Sequence, residues 1–134
     1  MHRFPLPLPG SRIWFAAFAL WFLTLWFLSG RPVPAGAQVN LPGLDKVLHV
    51  LYFFSGAIIL SLALHRRGQR GHLTFPRSLF IIVISLGMIG ALDEWHQSWI
   101  PARSGNDLGD WTADLSGAFA GALIYQALRH RVRK

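Results

Sequence analysis

Four apolar runs of membrane-crossing length constrain this chain more than any other feature. They cover residues 13–28, 46–64, 78–99 and 110–128. A hydrocarbon core about 30 Å thick takes about twenty residues of helix to cross. Backbone inside it must satisfy its own hydrogen bonds, which a helix does within one segment. The first run is interrupted only by Thr24, and Trp14 and Trp26 stand near its ends, where indole rings settle at an interface. At 134 residues the chain has room for one domain, spanning 1–134. The expected fold class is therefore all-α, a polytopic membrane protein built as a four-transmembrane-helix bundle.

The connections agree with that reading. Residues 29–44 are rich in Pro and Gly, 65–77 are basic, and 101–109 form a polar link containing Gly105 and Gly109. The basic head, the first apolar run and Ala35-Gly36-Ala37 before Gln38 also resemble a cleavable signal peptide. Sixteen apolar residues with several large aromatics favour a retained helix instead. Four spans put both termini on one side. If that side is cytoplasmic, ten basic residues are inside: Arg3, Arg12, Arg66, Arg67, Arg70, Arg77, Arg129, Arg131, Arg133 and Lys134. Only Arg31, Lys46 and Arg103 are then outside, so the positive-inside rule sets both termini in the cytoplasm. The formal charge of +7 follows from topology and attraction to anionic lipid. No nucleic-acid partner is expected, since the basic residues are not interleaved with aromatics on one face.

The acids are confined to two places. Asp93, Glu94, Asp107, Asp110 and Asp114 lie within 93–121, and Asp45 opens the short segment Asp45-Lys46-Val47-Leu48-His49. Counting helical rise from the cytoplasmic arginines puts Asp93 and Glu94 about 24–26 Å up, His49 about 26 Å and Asp114 about 22 Å. Three spans thus carry ionisable groups at nearly one level in the outer half of the bilayer, with Asp45, Lys46, Arg103, Asp107 and Asp110 above it. Such groups cost about 2.5–3.5 kcal/mol each at mid-helix, so they should face one another or a wet cleft. Asp45 and His49, Asp93 and Gln97, and Asp110 and Asp114 are four apart and share helix faces. Gly117 and Gly121 have GxxxG spacing for close helix packing. The candidate pocket is Asp45, Lys46, His49, Asp93, Glu94, Gln97, Arg103, Asp110 and Asp114.

Simpler roles are available to several of these residues. Trp95, Trp99, Trp111 and Tyr52 read first as an aromatic belt. Asp110 and Asp45 have the option of capping their helices. Arg103 has the option of a solvated loop charge, and the buried set that of an ion-pair network that fixes helix register.

The sequence resembles the VanZ-like family of bacterial integral membrane proteins. Asp45-Lys46-x-x-His49 opens a span, and Asp93-Glu94-x-His96-Gln97, Pro101-x-Arg103-Ser104-Gly105, Asp110-x-x-x-Asp114 and Gly117-x-x-x-Gly121 follow in order over residues 45–121. Ala102 stands where the family usually has glycine, and Asp114 where many members have asparagine. The resemblance implies a multi-pass protein of the bacterial cytoplasmic membrane and a setting in the cell envelope. Its founding member is associated with low-level resistance to teicoplanin.

Two functional classes follow. One is a binding or accessory protein whose outward pocket takes an envelope lipid head group, a cell-wall precursor or a membrane protein partner. There Lys46 and Arg103 would meet phosphate or carboxylate, and the acids would accept from hydroxyls or amides. The other is an intramembrane acid/base hydrolase or transferase on a lipid-linked substrate, with His49 or Glu94 moving the proton. Binding is the preferred reading. A metal version would draw on His49, Glu94, His96 and Asp114, but no HExxH-type spacing is present, so neither metal nor cofactor is expected. The chain has no cysteine, Ser-His-Asp pattern, P-loop or dinucleotide fingerprint. The inner halves of the spans carry no ionisable residue, which argues against a path for ions or protons.

Overall fold

The computed structural model describes residues 10–32, 43–68, 73–101, 103 and 105–132, with the side chains of 66–68 and 130–132 outside the description. Residues 1–9 of the basic head, Ala35-Gly36-Ala37 and residues 69–72 of the basic 65–77 link lie outside the described residues. So do Ala102 and Ser104 of the resemblance.

Four helices make up the fold: α1 (Ser11–Ser29), α2 (Leu44–Gly68), α3 (Phe75–Gln97) and α4 (Leu108–Val132). There is no strand among the described residues. Each of the four helices begins two or three residues before its apolar run, because hydrogen bonding continues past the apolar stretch until backbone geometry stops it. At α2 the stop is Gly43, whose φ of 78° suits glycine, and its carbonyl accepts from Val47 N at 3.1 Å. At α3 it is Thr74, followed by a proline in the first turn, where the missing N–H is not needed. At α4 it is Asp107: Oδ1 accepts from Gly109 N at 2.6 Å, and its carbonyl accepts from Trp111 N at 3.1 Å. The capping role open to Asp110 thus belongs to Asp107, and Asp110 sits in the first turn, as Asp45 does in α2.

Packing centres on α2 and α4, which share the most extensive contact. Gly117 and Gly121 make it possible. A Cβ at 117 would collide with the Val50 carbonyl, and one at 121 would lie 2.6 Å from Phe54 O and 2.8 Å from the Ala57 Cβ. The GxxxG face therefore lies directly on the α2 backbone, with Ala118 and Ala122 buried beside it. On its other side α4 meets α3, where Leu115 fills the space at Gly87 and Asp114 the space at Gly90. Phe53, Ala57, Leu60, Ile82 and Leu86 complete the core.

The most peripheral helix, α1, is attached by a reciprocal clamp. Trp21 Nε1 donates to Tyr52 O at 3.3 Å and Ser55 Oγ at 3.2 Å, while Tyr52 Oη donates to Trp21 O at 2.8 Å. The indole lies against Gly56, with its nearest ring atom 2.5 Å from where a Cβ would be. Large apolar side chains such as Leu20, Leu23, Phe80 and Met88 face outward from the bundle. α1, the Leu44–His65 part of α2, and α3 are each long and apolar enough to cross a membrane. In α4 the acids of the first two turns dilute the apolar character.

Candidate functional site

Four carboxylates converge at one end of the bundle, and all are buried: Asp93 is 2%, Glu94 4%, Asp110 5% and Asp114 0% exposed. Each arrives by local sequence logic. Asp110 and Asp114 are one turn apart on the face of α4 that Gly117 and Gly121 press onto α2. Asp93 and Glu94 end α3 just before a tight return. That return is held by Asn106, at φ 64°, whose N–H reaches the Glu94 carbonyl at 3.3 Å.

The positive groups come from α2. Lys46 Nζ lies 2.9 Å from Asp110 Oδ1 and 3.4 Å from both Asp107 Oδ2 and Asp45 Oδ2. His49 Nδ1 is 2.8 Å from Asp114 Oδ1, while its Nε2 is 4.0 Å from Asp110 Oδ2. An ionised carboxylate only accepts, so Nδ1 carries the proton in that contact. Glu94 Oε2 accepts from the backbone N–H of Asp107 at 2.6 Å. Asp93 Oδ2 accepts from Gln97 Nε2 at 2.8 Å, one turn along the same helix. Asp107 stands in the link outside the spans. The Gly109 N–H holds its carboxyl below the usual aspartate range, and Lys46 lowers it further.

Arg103 is turned away from the acids. Its Nε donates to Arg31 O at 3.1 Å and its Nη2 to Leu28 O at 3.2 Å, so the guanidinium closes over the carboxyl end of α1. Arg103 is therefore neither a free loop charge nor part of the acid cluster. Cations at a helix C-terminus also complement its dipole.

Three oxygens in buried carboxylates have no hydrogen-bond partner among the described residues: Asp93 Oδ1, Glu94 Oε1 and Asp114 Oδ2. Buried polar atoms are normally paired, so three in one cluster is notable. The charge is also uneven. Among the described residues, the basic side chains within ion-pair reach of these four buried carboxylates are Lys46 and His49, the latter charged only when protonated.

His49 and Asp93 belong to this cluster and also line a cleft of about 260 Å³ among α1, α2 and α3. Its lining is mixed: Leu25, Leu28, Leu48, Tyr52 and Phe53 supply largely apolar surface, and Ser29, Asp45, His49, Asp93, Gln97 and Arg103 supply polar groups. Of the nine pocket residues expected from sequence, five line this cleft, and Lys46, Glu94, Asp110 and Asp114 are outside its lining.

The aromatic belt divides. Trp95 and Trp99 are about half exposed and meet edge to face, with centroids 4.1 Å apart. Trp111 turns inward to donate to Gly87 O at 2.9 Å, and Tyr52 is held by α1. His96 stands apart from His49, Glu94 and Asp114, the residues with which a metal version would have grouped it. It stacks on Trp26 with centroids 3.9 Å apart, and its Nδ1 lies 3.4 Å from Ser29 Oγ, so it fastens α3 to α1. Sequence reasoning missed that α1 supplies part of the cleft lining. An apolar run carries no mark of which helix it will touch, and the only trace was a small residue, Gly56, available to receive Trp21.

Comparison with family models, with curated proteins and with solved structures finds no match to this chain.

Proposed function

We propose that this protein is a VanZ-like, four-span protein of the bacterial cytoplasmic membrane. In this reading both termini are cytoplasmic, and the cleft on the outer side binds an envelope lipid or a lipid-linked cell-wall precursor by its head group. The carrying observation is the cleft's mixed lining, in which apolar Leu25, Leu28 and Leu48 stand beside polar groups that include Asp93. Such a cleft suits an amphiphile, with acyl or prenyl carbons on the apolar side chains and a polar head on the polar ones.

The polar part of the lining also favours one kind of head group. Lys46 is engaged by three carboxylates and Arg103 by two backbone carbonyls, Leu28 O at the end of α1 and Arg31 O just past it. Asp93 Oδ1, by contrast, is an acceptor without a partner among the described residues. Acceptors outnumber uncommitted donors, which favours a head that donates, such as an amine, a sugar hydroxyl or an amide. A bare phosphate would meet too few donors. Through its resemblance, this reading extends to glycopeptide resistance of the teicoplanin type. A hydrolase or transferase is the second reading, supported by an imidazole at the cleft wall whose Nδ1 is held by Asp114.

The test is to purify the protein in mild detergent and identify co-purifying envelope lipids by mass spectrometry. Amine-, sugar- or peptide-headed lipids should be enriched, and the enrichment should fall about tenfold in Asp93→Asn, the loss of roughly one charge-assisted contact. Enrichment of phosphate-only lipids, unchanged in Asp93→Asn, would refute the head-group reading. Conversion of the bound lipid by wild type, abolished in His49→Gln, would establish the enzyme reading.

A further inference from the structure

The uneven charge around His49 asks for something the side chains do not provide. We propose that His49, Glu94 and Asp110 form a binding site for a single divalent transition-metal cation, with Asp114 as the carboxylate that orients the histidine.

Geometry carries the proposal. One metal-capable atom from each of His49, Glu94 and Asp110 lies within 4.8 Å of the other two. The three come from three helices, so the point they surround is set by the bundle and not by one flexible segment. Ligand atoms on a metal with bonds of about 2.0–2.2 Å stand about 3–3.5 Å apart. His49 Nε2 and Asp110 Oδ2, at 4.0 Å, need to close by only about half an ångström to reach that spacing.

The imidazole is already prepared. Its Nδ1 lies 2.8 Å from Asp114 Oδ1, so in the neutral imidazole with the proton on Nδ1 the Nε2 lone pair faces Asp110. Metal-bound histidines characteristically donate their other N–H to a carboxylate in this way, which fixes the tautomer and raises ligand basicity.

An independent sign of a missing partner comes from Glu94. The residue is 96% buried, Oε2 is held by the Asp107 N–H, and Oε1 has no partner among the described residues. A carboxylate fixed by one oxygen, with the other left bare at the edge of an acidic cluster, presents a ligand atom. A divalent cation would also balance the buried carboxylates that Lys46 and His49 alone do not. One imidazole nitrogen and two carboxylate oxygens suit Mn²⁺, Fe²⁺ or Zn²⁺ better than the all-oxygen shell Ca²⁺ and Mg²⁺ prefer. The proposal does not depend on the lipid reading, since Glu94 and Asp110 are outside the lining of the cleft.

The experiment uses the full chain without a histidine tag, purified in mild detergent and stripped with a chelator. Mn²⁺ is titrated in and followed by electron paramagnetic resonance and by the thermal unfolding midpoint, and Zn²⁺ by calorimetry. Wild type should take up one ion per chain, gain thermal stability with rising metal, and show imidazole nitrogen coupling to bound Mn²⁺. Glu94→Gln and Asp110→Asn, which keep side-chain shape, should weaken binding at least tenfold. His49→Gln should remove the nitrogen coupling, while His96→Gln should leave both binding and coupling unchanged. No saturable uptake by folded wild type would overturn the proposal. So would uptake unaltered in Glu94→Gln and Asp110→Asn, or nitrogen coupling that survives His49→Gln.

Discussion

Asp114 has no exposed surface, and its one strong partner is His49 Nδ1 at 2.8 Å. Removing one member of a buried charged pair strands the other. Asp114→Asn is therefore expected to destabilise the protein by about 3–5 kcal/mol, the range for breaking a buried pair. His49→Gln in the same protein should recover part of that loss, with a coupling of about 0.5–3 kcal/mol in a double-mutant cycle. Reversible unfolding of the four proteins in one detergent measures it. Additive effects, with every variant folded, would mean that the 2.8 Å contact carries no energy of its own. Glu94 and His49 should couple as well, since both face Asp110, but less strongly because no direct hydrogen bond joins them.

At the scale of helices, the fold depends on how closely α4 approaches α2. Lipid supplies no hydrophobic drive between helices, so contact energy comes from backbone proximity and good packing. At Gly117 the atom in the way is a backbone carbonyl, that of Val50, which cannot rotate aside as a side chain could. Gly117→Ala should lower stability by about 1–3 kcal/mol, the usual range for overpacking a tight core. Because α2 carries Lys46 and His49 while α4 carries Asp110 and Asp114, the same change should weaken the charged cluster. Gly10, with nothing within 4 Å of an added Cβ, is the control, and Gly10→Ala should leave the unfolding midpoint unchanged.

For the whole molecule, the consequence to test is orientation. The polar end of the bundle holds the cleft, the cluster and the 98–107 return, whereas Arg12, Arg77 and Arg129 lie towards the other ends of their helices. Reporter fusions in the 101–109 link should read extracytoplasmic, and fusions in the 65–77 link and after Lys134 cytoplasmic. An intracellular 101–109 link would sink the proposal that the cleft faces the cell envelope.

Much of this was legible from the order of residues alone. Apolar length specified helices, because a bilayer admits almost no other backbone. Four-residue spacing placed Asp93 with Gln97 and Asp110 with Asp114, because helical geometry is local. Gly117 and Gly121 marked the face that meets another helix. What the sequence could not say was which helix each face would meet. Only the tertiary arrangement turned Arg103 onto carbonyls at the end of α1 and just past it, sent His96 to Trp26 and away from the acids, and gave the cap of α4 to Asp107. It also made α1 part of the cleft lining, brought Glu94 together with His49 and Asp110, and left Glu94 Oε1 without a partner among the described residues. The division has one physical cause. Residues within a few positions of each other are related by the helix itself, whereas contacts between residues 31 to 75 positions apart exist only once side-chain volume and backbone approach have fixed how the helices pack.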